Sequence, residues 1–378
     1  MPKSDMNKRY GRFGWFFVLL CACIGLVNLY IPDQASSDTE NRSLAQFPVI
    51  NKDHILKGLT MKDMENWFSD QFIQRNEMIQ FKYQIQKKTG IKKIENVYLT
   101  ERGLIEAIEP ANDTELDRNL NAMNAFYQEN KLNTVFLLAP NAANIYQNLC
   151  PYDAEAIDQN KQMDLVFSSL DENIQVVDVR QMFKEHNHEK LYYKTDHHWT
   201  TLAAYYAYSL LPLEPVPLDQ YDVMKVTEDF SGSLSHVVGS DDLKDSIDIY
   251  VPKKAVDYLM TNEALGVKSR TVYDDKALKT QDAYSVFLGG NYSMIKLEMD
   301  NDSSKHLLIF KDSYANSLIP FLIPHFRTIT IIDPRYYYED IRSVIKSDMI
   351  TDIYYIYNSN TFVQDTSLAD VIGQKESS

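Results

Sequence analysis

Five short apolar runs limit what this chain can fold into. They cover residues 134–139, 174–179, 306–310, 328–332 and 352–357, and each is too short for a stable helix but the right length for a buried strand. Helical patterns follow several of them, over 200–211, 314–323 and 338–347. Strands that alternate with helices wind into a mostly parallel sheet whose two faces the helices cover. The expectation is therefore an α/β domain over residues 96–378. Within it, residues 212–305 are loop-rich with weak strand patterns and read as a long insertion.

A second constraint lies at the other end. Residues 13–31 are apolar except for Asn28, and as a helix they would reach roughly 28 Å, close to the thickness of a bilayer's hydrocarbon. Lys3, Lys8, Arg9 and Arg12 precede this run, and Asp33, Asp38 and Glu40 follow it. Positive charge stays on the cytoplasmic side. Residues 1–12 then form a cytoplasmic tail, 13–31 a single-pass transmembrane anchor, and the rest of the chain is extracytoplasmic. The rival is a cleaved signal peptide; against it, no small-x-small cleavage site follows, and the run continues well past the lipobox-like Leu20-Cys21-Ala22-Cys23. Residues 32–95 read as a juxtamembrane linker marked by Pro32 and Pro48, then a helical segment over 60–88 that stops at Gly90.

Composition excludes some functions. A net charge of −15 repels nucleic acid. Of three cysteines, Cys21 and Cys23 lie in the apolar run, so Cys150 has no partner for an intramolecular disulfide in the body and no cysteine-rich zinc site is available.

Two segments carry chemistry. Thr195-Asp196-His197-His198-Trp199 places a carboxylate beside two imidazoles, and Lys311-Asp312-Ser313-Tyr314 places a serine just past a strand. Together they supply an activated nucleophile: a serine oxygen to attack, an imidazole to take its proton, a carboxylate to orient the imidazole. Each segment has other readings. The histidines, with Asp196 and His186, can be metal ligands, or Thr195 or Asp196 can cap a helix. Asp312 or Ser313 can be an ordinary N-cap. Leu288-Gly289-Gly290-Asn291-Tyr292 and Phe230-Ser231-Gly232-Ser233 are loops that line a cleft or simply turn, and the clusters Tyr205, Tyr206, Tyr208 and Tyr336, Tyr337, Tyr338 stack on sugars or pack a core.

In order along the chain, Glu40-Asn41-Arg42-Ser43-Leu44, Phe47-Pro48, Trp67-Phe68-Ser69-Asp70-Gln71-Phe72 with Arg75, Asp196-His197-His198-Trp199, Leu288-Gly289-Gly290-Asn291 and Lys311-Asp312-Ser313-Tyr314 form a set. That set resembles the DHHW family of bacterial exported proteins, related to the alginate acetylation proteins of the SGNH-hydrolase-like superfamily. The resemblance implies an SGNH-like sheet and a triad of Asp196, His198 and Ser313. It makes His197, Trp199, Tyr314, Gly290 and Asn291 candidates for substrate or oxyanion contacts. Lys311 stands where ordinary SGNH hydrolases have a glycine. The implied activity is acyl transfer, chiefly of acetyl, to a cell-surface or secreted polysaccharide, or ester hydrolysis there, without cofactor or metal. A membrane-bound O-acyltransferase would supply the acyl group. The alternatives are a non-catalytic polysaccharide-binding or scaffold protein of an export complex, and a metal-dependent hydrolase.

Overall fold

The computed structural model describes residues 3–37, 42–48, 50, 52–57, 59–151 and 157–373. Glu40 and Asn41 of the ordered motif set lie outside them. The chain forms two compact units, one of residues 1–90 with 238–240 and the other of residues 91–237 with 241–378.

In the first unit, α1 (Lys3–Tyr30) contains most of the expected anchor. Among the described residues no helix is long and apolar enough to cross a membrane; the side chains at 3–12, 20, 21, 24 and 29 of α1 are not among those described. Asn28, the polar member of the run, is buried and accepts the Ile73 amide at 2.8 Å. The helical segment expected over 60–88 is two helices, α2 (Leu59–Asp70) and α3 (Arg75–Lys88), separated where Gln74 takes a left-handed φ of 54°. Gly90, at φ 81°, lies just past α3 as expected of a stop. The Trp67–Phe72 motif holds the linker: Trp67 Nε1 donates to Asp33 at 2.8 Å, the Ala45 amide donates to Asp70, and Gln71 bonds the backbone of Gln34 and Ala45.

The second unit is built on an eight-stranded sheet. Its strands are β1 (Asn133–Ala139), β2 (Gln175–Asp178), β3 (Tyr258–Asn262), β4 (Val267–Ser269), β5 (Met294–Met299), β6 (His306–Lys311), β7 (Thr328–Ile332) and β8 (Asp352–Asn358). Their spatial order is β4-β3-β5-β7-β6-β8-β1-β2. From β7 to β2 all neighbours are parallel; β4, β3 and β5 extend one side antiparallel. The five apolar runs of the sequence are the five parallel strands. The stretch 212–305 does more than insert a loop. It contributes β3, β4 and β5, and a two-stranded ribbon of Tyr221–Phe230 with Asp245–Pro252.

Side chains alternate across the sheet. Val135, Leu137, Leu307, Ile309, Ile329 and Ile356 pack on one face against Ala203, Ala204 and Tyr208 of α5 (Thr201–Ser209). Phe136, Leu138, Leu308, Phe310, Ile353 and Tyr355 pack on the other against Leu120, Met123 and Phe126 of α4 (Asp113–Asn130), and against α6 (Ile341–Ser347) and α7 (Ser359–Gln364). The helix expected over 314–323 is broken into a 3₁₀ turn (Ser313–Ser317), a short α-helical turn (Ile319–Leu322) and a second 3₁₀ turn (Ile323–His325). Pro320 and Pro324 cannot donate the hydrogen bonds a continuous helix needs.

Candidate active site

The segment with the two histidines is the tip of a tight loop. Tyr192 and Trp199 pair as an antiparallel bridge, the Tyr193 amide donates to His198 O, and the Thr200 amide donates to Leu191 O. Thr200, not Thr195 or Asp196, caps the helix that follows. Buried Asp245 holds the base of the tip: its Oδ2 accepts the amides of Lys194 and Thr195 at 2.6 and 2.9 Å and the Thr195 hydroxyl at 2.9 Å.

At the tip, His198 Nδ1 is 2.5 Å from Asp196 Oδ1, and His198 Nε2 is 2.8 Å from Ser313 Oγ. Asp196 also accepts the His198 amide at 2.9 Å and, on its other oxygen, the Ser233 amide at 2.8 Å. Burial pushes the Asp196 carboxyl up. The imidazoles of His198 and His197 and these hydrogen bonds outweigh it and hold the group well below the usual carboxylate range. Ser313 sits half-buried at the carboxyl end of β6, where ligands gather on a parallel sheet.

Trp199 and Tyr314, expected near substrate, are instead buried braces. Trp199 Nε1 donates to Tyr314 O and Ser317 Oγ, both at 2.9 Å, tying the histidine loop to the serine turn. The Tyr314 amide donates to Asp312 Oδ1 at 2.9 Å, and its hydroxyl donates to His197 O. Asp312 is thus the cap of the serine turn, and its second oxygen accepts the Asn358 amide at 2.8 Å. His197 packs on the His198 ring with centroids 3.9 Å apart and shares a 2.7 Å hydrogen bond with Ser233 Oγ. Burial, and then the neighbouring His198, lowers its pKa. Gly290 and Asn291 lie beside the serine turn, where Asn316 Nδ2 reaches Asn291 Oδ1 at 3.2 Å.

Donor atoms of Asp196, His197 and His198 lie within 4.8 Å of one another, close enough to share a cation. Each of the three already has a protein partner, and His186 is elsewhere, paired with Glu189 at 2.7 Å. Tyr205 and Tyr208 are core residues, whereas Tyr336 and Tyr338 are exposed.

Three residues escaped the sequence. Tyr284 stacks on His198 with centroids 3.8 Å apart, and its hydroxyl donates to Ser313 O at 3.2 Å. Glu106 is a largely buried carboxyl whose Oε2 accepts the side-chain amides of Asn141 and Asn360 at 3.3 and 3.2 Å. Burial raises its pKa, opposed chiefly by His197. Asp245 is the third. No local spacing marks any of them, since their contacts cross long stretches of chain.

A family model for DHHW proteins matches residues 116–332, more than half of the chain. The protein belongs to the DHHW family. Among solved structures, a DHHW family protein from Eubacterium siraeum DSM 15702 superposes with a TM-score of 0.63 at 24% identity, covering 74% of this chain and 96% of that one. Bacillus cereus PatB1, solved with a sulfonyl adduct, gives 0.62 at 18% identity over 71% of this DHHW chain and 97% of its own. The O-acetyltransferase domain of Pseudomonas putida AlgJ follows at 0.45 and 12%, over 72% and 94%. No match was found among curated protein sequences.

Proposed function

We propose that this DHHW protein is a serine-dependent acyltransferase that esterifies hydroxyls of a cell-surface or secreted polysaccharide. The observation that carries the reading is the hydrogen-bonded chain from Asp196 through His198 to Ser313. Ser313 Oγ attacks the acyl carbon while its proton passes to His198 Nε2, and the carbonyl electron pair moves onto oxygen. As that pair returns, the bond to the donor's alcohol oxygen breaks, and this oxygen takes the proton from His198. The acyl-serine is then attacked by an acceptor sugar hydroxyl, whose proton His198 takes and returns to Ser313 Oγ. Water in place of the sugar makes the same cycle an esterase. Asp196, ionised at any working pH, holds the His198 tautomer and offsets the imidazolium.

The resemblance in ordered motifs supports acetyl as the acyl group, a polysaccharide as acceptor and a membrane-bound O-acyltransferase as source. The apolar run in α1 supports a single-pass anchor with the second unit on the extracytoplasmic side.

Ser313→Ala in the purified protein should abolish hydrolysis of a chromogenic acetyl ester and labelling by a sulfonyl fluoride, a reagent class suggested by the PatB1 adduct. The wild-type rate should survive dialysis against a chelator. Undiminished turnover in Ser313→Ala overturns the proposal, and loss on chelation, restored by a divalent cation, moves the reading to the cluster of Asp196, His197 and His198.

A further inference from the structure

Glu106 ends a short strand outside the main sheet, Gly103–Glu106, and is tied to that sheet's carboxyl edge by two asparagines. Its Oε2 accepts Asn141 Nδ2 at 3.3 Å and Asn360 Nδ2 at 3.2 Å. Asn141 follows β1, and Asn360 follows β8, the strand beside β6 and its Ser313. Neighbouring strands lie about 4.8 Å apart, which sets Glu106 roughly 5–10 Å along the edge from the serine's strand. A glycan whose hydroxyl reacts at Ser313 brings other hydroxyls of the same ring and of the next unit over that distance.

Both asparagines are oriented by backbone groups that can only donate. The Asn360 amide donates to Asn141 Oδ1 at 3.1 Å, and the Glu109 amide donates to Asn360 Oδ1 at 3.0 Å. Each side-chain NH₂ is therefore the end that faces Glu106. Buried Gln159 adds its own NH₂ to the same two oxygens, at 2.8 and 3.3 Å. Asn358 carries the net to the nucleophile: its Oδ1 accepts from Asn141 Nδ2 at 3.1 Å, and its amide donates to Asp312, the cap of the serine turn. Two properties of Glu106 are left over. Oε1 has no hydrogen bond among the described residues and is not sealed from solvent, and no lysine or arginine among them pairs with the carboxylate. His197, at the loop tip, is the group that opposes the effect of burial on it most strongly. A glutamine would satisfy Asn141 and Asn360 equally well, so the net explains neither the second oxygen nor the charge.

We propose that Glu106 binds the acceptor and selects an uncharged, hydroxyl-rich glycan over one that bears carboxylates. This rests on the serine reading above. With the acyl group on Ser313, the acceptor lies along the edge past β8, and a hydroxyl near the reacting one donates to Glu106 Oε1. The reacting hydroxyl oxygen bonds the acyl carbon, its proton passes to His198 Nε2, and the Ser313 Oγ–carbon bond breaks. Glu106 takes no proton. A uronate chain would set a second negative oxygen against Oε1, and no described lysine or arginine pairs with Glu106 to offset the repulsion.

The test gives the purified protein the chromogenic acetyl ester with either cellopentaose or a galacturonate pentamer, and measures acetyl transfer to the sugar against hydrolysis in the same sample. The wild type should acetylate the neutral pentamer at least about tenfold faster than the uronate. In Glu106→Gln the side-chain oxygen must turn to the two asparagine NH₂ groups, so an NH₂ takes the place of Oε1 before the acceptor. The ratio of transfer to hydrolysis with the neutral pentamer should then fall about tenfold, and the preference over the uronate should shrink to about twofold or less. A purely structural Glu106 would slow transfer and hydrolysis in proportion and leave both ratios at their wild-type values, which overturns the inference. So does a wild type that prefers the uronate or acetylates neither pentamer. An inactive Ser313→Ala beside unchanged ratios in Glu106→Gln sinks this inference alone, whereas an active Ser313→Ala sinks the serine reading and this one with it.

Discussion

His197 and His198 are adjacent in sequence and nearly in contact as rings, yet their partners differ. His198 is held between a carboxylate and a hydroxyl, the arrangement of a base. His197 points at Ser233 and offers its carbonyl to the Tyr314 hydroxyl. His198→Ala should cost roughly 10⁴-fold in ester hydrolysis, and His197→Asn about tenfold or less, because asparagine can still meet Ser233; the reverse order would transfer the base to His197. The depressed pKa of His197 has a sign of its own. As pH falls below the ordinary value of 6.5, the unfolded chain takes up a proton that the folded imidazole refuses, so stability declines toward acid. Denaturation midpoints of His197→Asn between pH 7 and 5 should therefore fall less than those of the parent. The Asp196–His198 hydrogen bond was legible because the pair is packed into five residues. Tyr284 was not, because a ring that stacks on His198 from 86 positions away leaves no local pattern.

Among the elements, the loop tip depends on the Phe230–Ser233 stretch. A Cβ at Gly232 would stand 2.2 Å from Asp196 Cβ and 2.8 Å from its Cα. Gly232→Ala should accordingly destabilise by about 1–3 kcal/mol and impair hydrolysis by displacing Asp196; a variant with native midpoint and native rate would show the contact to be yielding. Sequence pattern marked the parallel strands because, buried on both faces, they are continuous apolar runs. It missed the sheet's antiparallel side for the opposite reason. The residues of β4 are exposed or half-buried, β3 is mostly half-buried, and β5 carries Lys296 and Glu298 among its apolar residues. The 314–323 helix was over-read, since its apolar spacing outweighed the two prolines at its end.

For the whole molecule, the anchor proposed for α1 is the reading to test. Trp15, Phe16, Phe17, Val18 and Leu19 are all exposed in succession, so an apolar surface faces every direction around the helix. Water is a poor solvent for such a surface. The full chain should sediment with membranes and be released by detergent but not by salt or carbonate, and a chain beginning at residue 32 should stay in the supernatant; release of the full chain by salt alone would refute the anchor. Order within the sheet carries a different consequence. The last strand made, β8, lies between β6 and β1, and through it alone the first-made pair β1 and β2 joins the strand that leads to Ser313. Within the sheet, the two halves therefore share no strand pairing until the polypeptide reaches residue 358. Only then can Asp312, the cap of the serine turn, accept the Asn358 amide.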